Sequence, residues 1–307
     1  MTAILSIMVP VPVTDSMLIS STLPEADYPV YDNAHAYALG DRCIAEHRIY
    51  ESQFATANTG HPPTDPVNQF GTVVYWLDVG PTNRMAMFDN EVSSQSTGSG
   101  SITVVIMPGA INTIYLGGMQ AADLSVVARD TPGGNVIFTF DGTLEASKPA
   151  DYYPYFFSGF SFLKSKVLAG IPAYLQMELT VTLTNGVSGT VLCGLLAFGL
   201  LQRLGRTQQG AKAKPKTYSY VDIDAYGKAT IRRGKAATDV TASAVIDSGE
   251  ARLVQAILAS ALDIPCLMSC SSNPDYSGLN NFGLISGEVV YKTPETSEVS
   301  ITSEGLI

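Results

Sequence analysis

The chain has 307 residues, of which 46% are hydrophobic and 15% charged, and its formal net charge is −10. The length accommodates two or three domains of roughly 100–200 residues, and the charged fraction lies below the roughly 25% of ordinary soluble chains, so Ser, Thr and Asn carry solubility on a surface suited to neighbours. The negative balance excludes bare attraction to nucleic acid or to an anionic membrane as the main role.

Residues 1–27 read as an extended N-terminal arm. Pro10, Pro12 and Pro24 remove backbone donors and fix φ, while Val9, Val11 and Val13 alternate with the first two of them. The arm opens without a basic segment, so no signal peptide is expected. Such an arm either lies on another surface or packs along its own domain.

Residues 28–92 read as a small aromatic-rich β module with a connecting segment. Strands are predicted at 42–45, 48–54 and 72–77, with a Pro/Gly-dense loop at 57–66. Tyr37, Tyr50 and Trp76 suit its core, whereas Tyr31, Phe54 and Phe70 suit either the core or stacking against a sugar ring. The polar run 93–101 reads as a linker.

Residues 102–205 carry short β-like runs at 102–107, 113–116, 124–128, 136–140, 176–184 and 190–200, the spacing of a β-sandwich. Hairpin turns are predicted at Pro132-Gly133-Gly134-Asn135 and at Asn185-Gly186. The most apolar stretch, 191–201, is too short to cross a bilayer, so no membrane insertion is expected. Residues 206–307 read as an α+β region. A capping box at Asp247–Glu250 precedes a helical stripe of Leu253, Val254, Ile257, Leu258, Ala261 and Leu262, which Pro265 ends. Strands follow at 266–269, 284–291 and 298–302. The expected fold class is therefore mainly β: a small β domain, a β-sandwich and a mixed α+β C-terminal region.

Cys43, Cys193, Cys266 and Cys270 lack the spacing of a disulfide framework, and no metal-ligand spacing joins them to His35, His47 or His61. There is no nucleophile elbow, no phosphate loop and no His-Glu-x-x-His run. The residues thus point to no catalytic group and no cofactor, and a non-enzymatic role is expected. Charge is unevenly spread. Between residues 203 and 235 nine Lys and Arg face only Asp222 and Asp224, a net of +7, which leaves −17 for the rest. Arg203, Arg206, Lys212, Lys214, Lys216, Arg232 and Arg233 are candidate interface residues for identical subunits meeting head to tail. A solvated loop explains the same segment, whereas a nucleic-acid patch would interleave aromatics with its most basic part.

Two resemblances add to this reading. The run from Tyr31 through Tyr37, Gly40-Asp41-Arg42-Cys43-Ile44, Tyr50, Gly60-His61-Pro62-Pro63 and Trp76 resembles the small chitin-binding carbohydrate modules. That family's binding face uses exposed tryptophans where this chain has Gln53 and Phe54. Val13–Leu18, the segment Gly80-Pro81-Thr82-Asn83-Arg84-Met85-Ala86-Met87-Phe88-Asp89 and the closing Ser303–Ile307 resemble a family of tailed-phage tail or baseplate structural proteins. The resemblance implies a virion (tail) component, made in the host cytoplasm, whose partners are other tail proteins and further copies of itself. The alternative it allows is a receptor-binding protein that recognises a host surface glycan through residues 28–81.

Overall fold

A computed structural model of the chain describes residues 3–91, 93–144, 162–186, 189–223, 226–271 and 273–306. The fold is mainly β. The arm is built into it as β1 (Ile4–Pro10) and β2 (Leu18–Ser21). The small module holds β3 (Arg42–Ala45), β4 (Arg48–Ser52), the short helix α1 (Pro66–Phe70) and β5 (Trp76–Pro81). Next come β6 (Ser96–Ser99), β7 (Ser101–Ile106), β8 (Thr113–Gly117), β9 (Asp123–Arg129), β10 (Val136–Thr143), β11 (Ser165–Ala169), β12 (Glu178–Thr184) and β13 (Thr190–Cys193). The remainder comprises β14 (Leu195–Thr207), β15 (Lys212–Thr217), β16 (Tyr220–Ile223), β17 (Ala229–Arg232), β18 (Ala236–Asp247), α2 (Ala251–Ser260), β19 (Cys266–Ser269), β20 (Asn281–Tyr291) and β21 (Thr296–Gly305).

The sandwich pairs a five-stranded sheet, β10-β9-β12-β7-β2, with β11, β8 and the first half of β14. Alternation sets its core. Ile102, Val104 and Ile106, Leu124 and Val126, and Leu179, Val181 and Leu183 point inward onto Ile114, Leu116, Leu196 and Phe198. Each large side chain so buried contributes about 1.5–3 kcal/mol. The hairpin expected at 132–135 joins β9 to β10. Asn185-Gly186 makes no hairpin: β12 lies in the five-stranded sheet, whereas β13 pairs with β6. The run expected as one strand at 190–200 breaks at Gly194 into β13 and β14. Residues 93–101 are no linker either, because β6 pairs there and Ser96 is buried, its hydroxyl accepting from the Met87 amide at 3.0 Å.

The C-terminal region has its helix, and its strands close into a barrel of six: β14, β1, β19, β20, β21 and β18. Closure is the pairing of Arg206 with Val245 and Thr207 with Ala244. Leu5, Ile7, Leu204, Val240, Ala242, Met268, Val299 and Ile301 fill it, and α2 packs Ala251, Val254, Leu258 and Ala261 against that core. The expected capping box does not form. Asp247 ends β18, the Ser248 hydroxyl bonds the Thr293 carbonyl and Ser297, and the cap residue Glu250 makes no side-chain cap bond. Leu253 and Leu262, expected on the buried stripe, are exposed. The segment 203–235 is largely strand, which sets aside its reading as a solvated loop.

At the barrel seam a side chain on Gly205 would place its Cβ 2.5 Å from the Val245 carbonyl oxygen. Gly205→Ala is therefore expected to cost about 1–3 kcal/mol and to lower the melting temperature by a few degrees, measured by circular dichroism. An unchanged melt would show that the seam gives way without cost.

Candidate functional site

Three local arrangements carry the candidate residues. The first is the aromatic set of the small module. Its sheet is β3-β4-β5, and its core is Tyr37, Cys43, Tyr50 and Trp76. Tyr37 meets Trp76 edge-on at 5.1 Å, and the Trp76 indole N–H donates to the His61 carbonyl at 2.7 Å. Tyr31 stacks on Tyr37 at 5.7 Å and packs against this core, so it is a core side chain more than a surface one. Phe54 is half-buried and lies 4.8 Å from Tyr75. Tyr75 in turn stacks on His61 at 3.7 Å, which makes a row of three rings, His61–Tyr75–Phe54. The Gln53 amide donates to the Tyr75 carbonyl and holds Phe54 beside it.

Phe70 stands apart, 82% exposed at the end of α1. Asp65 caps that helix by accepting from the Val67 amide, and Pro66 supplies a ready φ at its first position. The buried Asn68 ties α1 to the row: its amide group donates to the Pro62 carbonyl, and its own carbonyl accepts from the Tyr75 amide. Reasoning from sequence missed Tyr75 and His61. Tyr75 lies just before β5 and is partly buried against the same core as Tyr31, so no strand period marks it in the sequence.

The second arrangement joins the module to the body. The β3–β4 turn places both Glu46 and His47 at positive φ, 46° and 64°, an uncommon conformation for residues with side chains. The His47 ring reaches Glu25 through Nδ1 at 2.8 Å and Asp15 through Nε2 at 3.3 Å. Glu25 also accepts from the Thr82 hydroxyl at 2.8 Å, and the Thr82 amide donates to the His47 carbonyl. Asn83 donates its amide to Asp27 and exchanges two hydrogen bonds with the Thr97 backbone. The Gly80–Arg84 segment is therefore the junction of arm, module and β6. The hydrogen bond from Glu25 raises the His47 pKa above the ordinary imidazole value, with Asp15 adding to it and partial burial opposing.

The third is the basic segment. Arg203 and Arg206 lie exposed on β14, Lys212 and Lys214 on β15, and Arg232 and Arg233 at the end of β17. Lys216 differs, because it pairs with Asp239 at 2.8 Å within the same chain. Between them β16 and β17 form a hairpin that continues past the ends of β15 and β18, held at its base by the Tyr218 amide on the Lys235 carbonyl. From Thr217 to Ile223 it projects about 20 Å at strand rise. Its pairing puts Val221 opposite Ile231 and Ile223 opposite Ala229 on one face, with Tyr220–Arg232 and Asp222–Thr230 on the other. One face is thus apolar and one polar.

Burial pushes the thiols of Cys43 and Cys193 up to about 12, and those of Cys266 and Cys270 to about 11, so all four are poor nucleophiles. Comparison with known proteins gives no match to a family model, to a curated protein or to a solved structure.

Because folding raises the His47 pKa, the stabilisation from its carboxylate contacts is full below about pH 6.5, the unfolded value, and is lost as pH climbs through the folded value. Thermal melts at pH 5.5 and pH 8.5 should show wild type ahead of His47→Gln at the lower pH and the gap closing at the higher. A gap that is constant with pH would mean that the ring acts by shape alone.

Proposed function

We propose that the chain is a structural component of a tailed-phage virion, in the tail, tail tip or baseplate, which assembles through contacts with other tail proteins and with further copies of itself. The observation that carries this reading is the β16–β17 hairpin. A two-stranded ribbon is marginal in water without a covering layer, yet this one leaves Val221, Ile223 and Ile231 exposed on a single face. Exposed apolar faces of this kind mark interaction surfaces. The resemblance of the junction segment to tail proteins, and the low charge of the whole chain, support the same role.

The mass of the purified full-length protein in solution should show multimers at low salt that dissociate as salt rises, since the hairpin is flanked by basic residues. Val221→Ser with Ile231→Ser should leave monomers. A strict monomer at every salt concentration would remove self-assembly from the proposal.

A second reading, recognition of a host surface glycan, is favoured by the His61–Tyr75–Phe54 row, which offers ring faces of the kind that stack on sugars. Glycan titration of the full-length protein tests it. Phe54→Ala should weaken binding by about 1 kcal/mol, several-fold in affinity, whereas Tyr31→Ala, which removes a ring packed on the core, should instead lower stability. No heat or shift with any host glycan would sink this reading.

A further inference from the structure

We infer that the apolar face of the β16–β17 hairpin seats in a groove between α2 and β20 of a second copy of the chain, an inference that rests on the self-assembly proposed above. The groove, about 280 Å³, is open and mostly aliphatic. Gln255, Leu258, Ala259 and Leu262 form one wall, spaced as one face of a helical turn pattern. Ile285, Gly287 and Val289 form the other. Gly287 keeps the floor low, because a Cβ there would lie 3.2 Å from Ile301 and 3.4 Å from Leu258. Leu262, 56% exposed, stands on the rim.

The two surfaces match in chemistry. Val221, Ile223 and Ile231 are 51%, 65% and 64% exposed and adjacent, so the hairpin presents branched aliphatic groups to an aliphatic groove. Charge selects a copy of the same chain as the occupant. Residues 203–235 carry a net +7, whereas residues 236–307, which supply α2, β20 and their neighbours, hold nine carboxylates against Arg252 and Lys292, a net of −7. Glu250 and Asp263, flanking α2, are exposed. Such complementarity sets orientation and speeds encounter.

The hairpin does not reach its own groove. Gly287 is level with Ile301, and Ile301 with Ala242. The hairpin leaves the sheet at Thr217 and Ala236, at the far end of β18, and runs on away from that level. Each copy thus gives an arm at one place and receives one at another. The contact is heterologous and generates a ring if the rotation closes or a filament if it does not.

Bis-maleimide cross-linking of full-length protein tests this, since the four native cysteines are buried. Ile231→Cys combined with Ala259→Cys, both at exposed positions, should give a ladder of linked dimers, trimers and larger species, while each single variant gives none. Adding Leu262→Glu should abolish the ladder. Dimers from Ile231→Cys alone would mean that hairpins meet each other across a two-fold axis, and dimers from Ala259→Cys alone that two grooves abut. Linkage within one chain would mean that the arm folds back. Multimers by mass without any linkage would overturn this seat while leaving self-assembly standing; monomers by mass would remove both.

Discussion

Two apolar cores share one strand, and the rest of the molecule is arranged around that constraint. The thirteen residues of β14 begin in the sandwich, where Leu195–Gly199 pair with β8 and send Leu196 and Phe198 inward. They end in the barrel, where Leu204 is buried and Arg206–Thr207 close the wall. Along this length β1 runs antiparallel, from Pro10 opposite Gly199 to Ile4 opposite Arg206. Glycine makes the crossing possible, since a Cβ on Gly199 would sit 2.5 Å from the Val9 carbonyl oxygen. A slip of one residue in β14 would turn both sets of side chains to the wrong face at once, so the sandwich and barrel are specified together.

The small module is attached by different physics. Its junction consists of directional polar bonds: Thr82 and His47 on Glu25, Asn83 on Asp27 and Thr97. Bonds of this kind fix an orientation more than they add stability, because each replaces a bond to water. The module is therefore held at a defined attitude to the body, with its ring row on its own surface.

Legibility in the sequence followed how local the cause of each element is. The strict alternation of residues 178–184 announced β12, because a half-buried strand writes its period into the chain; β3 also came out at the expected residues, although its two central side chains, Cys43 and Ile44, are both buried. Helix α2 was visible from its stripe, yet the stripe was wider than the contact, so Leu253 and Leu262 were left outside it. By contrast, β1 is buried on both faces between β14 and β19, and a continuous apolar run before prolines reads equally well as an arm. The lysines and Pro215 of β15 suggested a loop; they are also what protects the free edge of a sheet. Barrel closure was beyond reach, because Arg206 and Val245 carry no local mark of their pairing. Of the aromatic residues, Phe54 fell in the ring row, whereas Tyr31 went to the core, and Tyr75 sits just outside β5, where no strand period marks it.

The position of β1 has a consequence for biogenesis. Met8 pairs with Leu201 on one side and Leu267 on the other, so this apolar strand is made well ahead of both neighbours and stays unpaired until they are translated. The β3–β5 module can form in the meantime, since its strands are close in sequence. The barrel, by comparison, has a high contact order and a slow closing step, and the waiting strand is an aggregation hazard for as long as it is unpaired. Yield thus depends on how β1 is shielded during that interval as well as on the stability of the finished barrel.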